Sequence, residues 1–374
     1  MKIVVSIDSF KGSLSSIEAG RAVEKGILKV NSNAEVVVCP LADGGEGTVD
    51  ALAAGLGGKL ISTTVKGPLL EPIDAEYCIL PDGTAVMEMA KAAGLPLIKA
   101  TERNPMKTTT FGVGELIKDA IGRGCRHFVI GIGGSATNDG GTGMLTALGY
   151  EFLNGEGKPV EPGAEGLLSL ESISDKNIIG ELKECTFRIA CDVTNPLCGE
   201  KGASAIYGPQ KGATPEMIPV LDKALATFAK VAETASSKAD MNYPGAGAAG
   251  GMGFGFLTFT NASLESGIKI VIEETGIEEH IKDADLVVTG EGRLDRQTAM
   301  GKAPIGVARI AKKYGKKVIA FCGCVGEGAE KCNEEGIDAY FPILRNITSL
   351  EEAMKKENAF RNLEETAEQV FRLI

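Results

Sequence analysis

Short, nearly continuous apolar runs alternate with helical periodicity at both ends of the chain, while its middle carries shorter alternating segments broken by turns. Residues 2–7 (KIVVSI) form a β-branched run, as expected of a strand covered on both faces. Ser15 and Glu18 stand at capping-box spacing, and Ala19, Ala22, Val23, Gly26, Ile27 and Val30 then recur at helical intervals, predicting a helix that begins there. Residues 35–39 predict a second strand, residues 40–48 a loop, and the stretch up to Leu56 a helix. From about residue 60 the texture changes to partly alternating strands joined by Pro/Gly turns such as Pro81-Asp82-Gly83. Helices are expected over 112–121, over 214–235 with Thr214 as N-cap and Pro215 in the first turn, and over 263–274. Late strands over 285–289, 317–322 and 339–343 alternate with helices again, and 350–374 reads as a helix charged on one side.

Continuous strands alternating with helices indicate a parallel sheet with both faces covered. The expected fold is therefore α/β: a Rossmann-like parallel-sheet domain built from both chain ends, residues 1–60 and 262–374, with an inserted mixed α/β domain over 61–261. Composition sharpens this in one respect. Glycine supplies 49 of 374 residues, nearly twice the usual share of about 7%, and the excess falls in loops between periodic segments. The net charge of −11 and the absence of basic runs argue against nucleic-acid and anionic-membrane partners. Nine cysteines without a CxxC pair and only two histidines make a zinc site a poor reading. The chain opens on a strand, with neither a signal-peptide pattern nor an apolar run of membrane length, so a reducing cytoplasm is expected.

The chemistry is concentrated in loops that follow strands, the edge at which α/β sheets bind ligands. Residues 129–145, VIGIGGSATNDGGTGML, carry an apolar run into a loop rich in glycine, where main-chain amides can approach an anion closely. Asp8-Ser9-Phe10-Lys11-Gly12 follows the first strand, and a lysine with an aspartate there suits a phosphate beside a metal or hydroxyl. Asp43-Gly44-Gly45-Glu46 follows the second and offers two carboxylates to a hard cation. Asp192 closes the apolar run FRIACDV, where it could serve as general base to a hydroxyl or as a helix cap. Glu291, Arg293, Asp295 and Lys302 cluster after residues 285–289. Arginine can fork onto a carboxylate or phosphate. Gly131-x-Gly133-x-x-Ala136 meets a dinucleotide fingerprint only superficially, because the acid that follows, Glu151, does not end a second strand.

Taken together, IDSFKGSLS, PLADGGEGT, GIGGSATNDGGTGML, ACDVTNPLCG, YGPQKGAT, GAAGGMGFG and TGEGRLDRQT closely resemble the bacterial type-I glycerate kinase family along the whole chain. That resemblance implies phosphorylation of D-glycerate by ATP with Mg²⁺, in a cleft between the two domains, with 2-phosphoglycerate the expected product and the 3-phosphate the alternative. The residues themselves suggest Asp192 as the base, with Asp295 able to exchange roles with it, and Lys11 and Lys302 stabilising charge on the moving phosphoryl group. Arg293 and the amides of Gly133, Gly134 and Ser135 would hold a carboxylate or phosphate. Asp8, Ser9, Thr137, Asn138 and Glu291 complete the expected substrate and phosphate contacts, and Asp43, Glu46 and Asp139 are the expected metal ligands. The expected assembly is a monomer or homodimer. A nicotinamide-dependent hydroxy-acid dehydrogenase and a non-catalytic metabolite binder are the other readings.

Overall fold

The computed structural model describes residues 1–42 and 47–374; Asp43 and Glu46 lie outside the described residues. In chain order the strands are β1 (Lys2–Val5), β2 (Glu35–Val38), β3 (Lys59–Lys66), β4 (Pro72–Ile79), β5 (Ala85–Glu88), β6 (His127–Gly131) and β7 (Glu151–Leu153). They continue with β8 (Ser172–Ser174), β9 (Thr186–Ala190), β10 (Ala262–Glu265), β11 (Leu286–Leu294), β12 (Lys317–Val325) and β13 (Ala339–Pro342). The described residues divide into two compact units, one made of residues 1–42, Asp50–Gly58 and Ile268–Ile374, the other of residues 47–49 and Lys59–Gly267.

In the first unit every strand is parallel, in the order β13-β12-β11-β1-β2, which makes it Rossmann-like. One face of this sheet buries Ile3, Val5, Val288 and Phe321 against Ala19, Val23 and Ile27 of the helix Ser16–Val30 and Leu363 and Ala367 of the helix Lys356–Phe371. The other face packs Val4, Val287 and Val318 against Ile281, Ile305 and Ala308 of helices between Ile277 and Lys313. Strands buried on both sides need the continuous apolar runs seen in the sequence. The capping box at Ser15 and Glu18 forms as the spacing predicts.

The second unit holds a mixed sheet, β10-β9-β6-β5-β4-β3. Its first four strands are parallel, and β4 and β3 add antiparallel ones. Antiparallel β7 and β8 form a separate ribbon. Phe128, Phe187, Phe228 and Phe256 are fully or nearly fully buried in its core.

Several boundaries depart from the sequence expectations, among them these three. Residues 262–265 pair as β10 beside β9, and the helix starts only at Gly267. The long helix begins at Met217 rather than at Thr214. Strand β11 continues to Leu294, because β12 is equally long and pairs with it as far as Leu294↔Val325; a ladder partner overrides the local glycine-rich sequence. Gly290 is what permits this. A Cβ there would lie 2.0 Å from the Phe321 carbonyl oxygen. Gly290→Ala should therefore destabilise the protein by about 1–3 kcal/mol, seen as a lower urea midpoint; an unchanged midpoint would show that the strands can part freely.

Candidate active site

The connections of the first sheet run in opposite directions from β1 and β11, so the carboxyl ends of these two strands form its switch point. A cavity of about 450 Å³ lies there, and Asp8, Ser9, Lys11, Glu291, Arg293, Asp295 and Lys302 all line it. Seven residues singled out from sequence are thus brought together. After β1, Phe10 and Leu14 are buried and exchange main-chain hydrogen bonds of 2.8 and 3.0 Å, which turns Lys11 out at the tip. The buried Ser16 hydroxyl donates to the Ile7 carbonyl at 2.7 Å and accepts from the Leu41 N–H at 2.8 Å, fixing the root of that loop. Asp8 is nearly buried, and its carboxylate accepts from the Ser9 N–H at 2.7 Å. Glu291 and Arg293, two residues apart on β11, share one face of the strand.

Asp295 caps a helix. Its Oδ1 accepts from the N–H groups of Gln297 at 2.8 Å and Thr298 at 3.4 Å, capping the short helix Arg296–Ala299. Its other oxygen lies 3.4 Å from Arg293 Nε, an orientation that aims the guanidinium. Lys302 stands at the N-cap of the helix Ala303–Lys313 and donates to Gln297 Oε1 at 3.2 Å. A cation at a helix start works against the dipole unless an anion joins it. The cavity thus gathers three cations at one sheet edge of an acidic protein.

In the second unit the glycine-rich loop leaves β6, and Gly133 and Gly134 are exposed at its turn. Beyond them the loop dives inward. Thr137, Asn138 and Asp139 are fully buried. Asn138 donates to the Ser204 hydroxyl at 3.0 Å. The Asp139 carboxylate accepts from the Thr110 N–H and hydroxyl (2.8 and 2.9 Å), the Thr109 hydroxyl (3.3 Å), and the N–H groups of Gly141 and Gly143 (3.1 and 3.2 Å). Burial raises its pKa, while the bonds from Thr110, Gly141 and Gly143 act to lower it. Gly250, at φ +69°, lets the kinked helix Ala248–Phe259 come against this loop; its Cβ would sit 2.0 Å from the Thr137 carbonyl oxygen.

Lys211 is a buried lysine that sequence reasoning left unassigned. It is 2% exposed, and its ammonium donates to Ser135 Oγ and to the Thr137 carbonyl, both at 2.6 Å. Burial brings its pKa down to about 7, against the opposing pull of Asp139. Its place in YGPQKGAT marks it only as a loop lysine; nothing in the residue order says that it points inward. Asp192 follows β9, which pairs with β6 through Gly131↔Ala190, so it shares a sheet edge with the glycine-rich loop. It is exposed and accepts from the Gly267 N–H at 3.1 Å.

A larger cavity of about 580 Å³ in the second unit contains none of the expected residues. The Tyr150 and Ser236 hydroxyls and the Lys238 ammonium on its wall are spent on the carbonyls of Phe259, Thr258 and Thr260. Among the described residues no cluster of three or more His, Cys, Asp or Glu could hold a metal ion, and no helix is long and apolar enough to cross a membrane. All nine cysteines are unpaired. Burial pushes Cys322 up to about 12 and Cys39 to about 11, so neither is a thiolate nucleophile near neutral pH.

The glycerate kinase family model matches residues 3–374. The chain belongs to the glycerate kinase family. A glycerate kinase of Haemophilus influenzae is 47% identical over 100% of this chain and 99% of its own length. A glycerate 2-kinase of Escherichia coli is 48% identical, covering 95% of this chain and 93% of its own. A crystal structure of a candidate glycerate kinase 2 from Salmonella typhimurium LT2 matches with a TM-score of 0.92 at 45% identity, over 100% of this chain and 98% of that one. As a member of this family the chain is a kinase, a phosphotransferase, which sets aside the dehydrogenase and pure-binder readings.

The buried lysine has a measurable signature. From about pH 7 up to its ordinary value of 10.5, the unfolded chain holds a proton on Lys211 that the folded chain lacks. Folded stability therefore gains with rising pH across that window and loses the gain as pH falls toward 7. Relative to Lys211→Met, the wild type should gain up to about 1.4 kcal/mol per pH unit there. A stability difference independent of pH between 7 and 10 would count against the inward placement.

Proposed function

We propose that this protein transfers the γ-phosphoryl group of ATP to the 2-hydroxyl of D-glycerate. The observation that carries this reading is the convergence of Lys11, Arg293 and Lys302 with Asp8 and Glu291 on the switch-point cavity. Phosphoryl transfer is driven by positioning and charge neutralisation, with little covalent work for the protein, and this set provides both. The sequence identity to curated glycerate kinases over nearly full length supports the choice of substrate.

In this reading Lys11 and Lys302 lie against the phosphate oxygens, and Arg293, aimed by Asp295, forks onto one of them. Gly133 and Gly134 offer main-chain N–H groups to the glycerate carboxylate. Asp192 takes the proton from the attacking hydroxyl as the new O–P bond forms and the bond from γ-phosphorus to the β-phosphate oxygen breaks, releasing ADP. Asp139 and Lys211 hold the glycine loop in shape and touch neither substrate. The carboxylates of Asp8 and Glu291 suit Mg²⁺, which is commonly bound by one or two carboxylates with phosphate oxygens and water completing its shell. When bound it would neutralise phosphate charge.

Phosphorus NMR on protein incubated with ATP, Mg²⁺ and D-glycerate should show a new phosphomonoester split by one proton. Splitting by two protons would make it the 3-phosphate, and an unchanged ATP spectrum from folded protein would overturn the kinase reaction. Asp192→Asn should lower kcat about a hundredfold or more with little change in KM. A near-normal kcat would remove Asp192 as base and leave it the cap of the helix that starts at Gly267.

A further inference from the structure

The switch-point cavity is chemically two-sided. Besides its charged arc, the cavity has an apolar lining of Ile343, Leu344, Leu350, Ala353, Met354 and Ala359. A three-carbon hydroxy acid, a phosphate and a metal ion all use the charged arc; none has an apolar surface to offer this wall. Yet half of that lining is open to water. Leu350 is 75% exposed, Leu344 45% and Met354 37%, and the helix Leu350–Met354 buries none of its residues. Large aliphatic side chains lining a ligand-sized cavity and left open to water mark a surface that an apolar ligand group covers.

The two arcs are continuous. The Met354 methyl lies 2.9 Å from where a Cβ at Gly12 would be, so the wall reaches the loop that presents Lys11. Ile343 anchors the other end, its N–H donating to the Cys322 carbonyl at 2.8 Å. The occupant that fits both arcs at once carries several negative charges at one end and a flat, weakly polar ring at the other.

We propose that Leu344, Leu350 and Met354 form the subsite for the purine base of the nucleoside triphosphate, whose phosphates point toward Lys11, Arg293 and Lys302. This rests on the kinase reading above and adds to it the location of the base. The thioether of Met354 gives a polarisable contact to an aromatic ring, and the aliphatic chains of Leu344 and Leu350 cover the rest of its face.

Steady-state kinetics of Leu350→Glu and Met354→Glu test the assignment, with Ile347→Glu as control. Ile347 is on the same segment, fully exposed, and not part of the cavity wall. Both wall variants should raise the KM for ATP at least tenfold, while the KM for glycerate stays within twofold and the control matches wild type. Calorimetric titration with adenosine, which has the base and no phosphates, should show binding to wild type that both wall variants lose. Titration with tripolyphosphate should be unaffected by either. An ATP KM within twofold of wild type in both wall variants, or adenosine binding that survives in them, would overturn the subsite while leaving the kinase reading intact. Absence of phosphoryl transfer by the wild type would instead overturn that reading and the subsite with it.

Discussion

A carboxylate sealed from water must find its donors within the chain, and Asp139 draws them from the segment around Thr109 and Thr110 and from the glycines that follow it. Desolvation of such a charge costs several kcal/mol unless hydrogen bonds replace the lost water. The glycine-rich loop is therefore defined by its acid as much as by its glycines. Lys211 adds a second buried tie, gripping Ser135 and the Thr137 carbonyl. Between them, these two groups leave only Gly133 and Gly134 to face outward. A loop whose composition suggests flexibility is held at one end by β6 and at the other by a saturated carboxylate.

The first unit meets a different demand. Parallel strands deliver all their following loops to one edge, and the change of direction between β1 and β11 opens that edge to a ligand. Close approach of β11 to β12 at Gly290 carries the ladder on to Leu294. Glu291 and Arg293 thus project from regular strand and inherit its rigidity, with Asp295 bracing the guanidinium from the turn beyond. Side chains placed on strands are held more closely than side chains on loops.

Much of this was legible in the residue order, and the exceptions have physical causes. Apolar runs and caps depend on local chemistry, so the helix from Ser16 and the starts of the core strands β1 and β12 could be read directly. The end of β11 depended on a partner some 30 residues downstream (Leu294↔Val325), which no local window contains. The seven cavity residues were visible because acidic and basic side chains after apolar runs fall at the carboxyl edge. The inward turn of Thr137, Asn138 and Asp139 was not, since polar side chains in a glycine loop look the same from sequence whether they face a ligand or the interior. Lys211 was missed for the same reason.

The helices Ser16–Val30 and Lys356–Phe371 pack together so tightly that a Cβ at Gly26 would come within 2.4 Å of the Glu364 carbonyl. This pairs the opening of the chain with its close and has a bearing on biosynthesis. Strand β1 lies between β2 and β11, so a nascent chain leaves one edge of β1 unpaired until residues beyond 286 have emerged. The unit made of Lys59–Gly267 can consolidate meanwhile, and the entropy of closing so long a loop grows only with the logarithm of its length. Delay, with apolar strand edges bare in the interim, is the larger hazard. Slow translation or early truncation should thus endanger the first unit far more than the second.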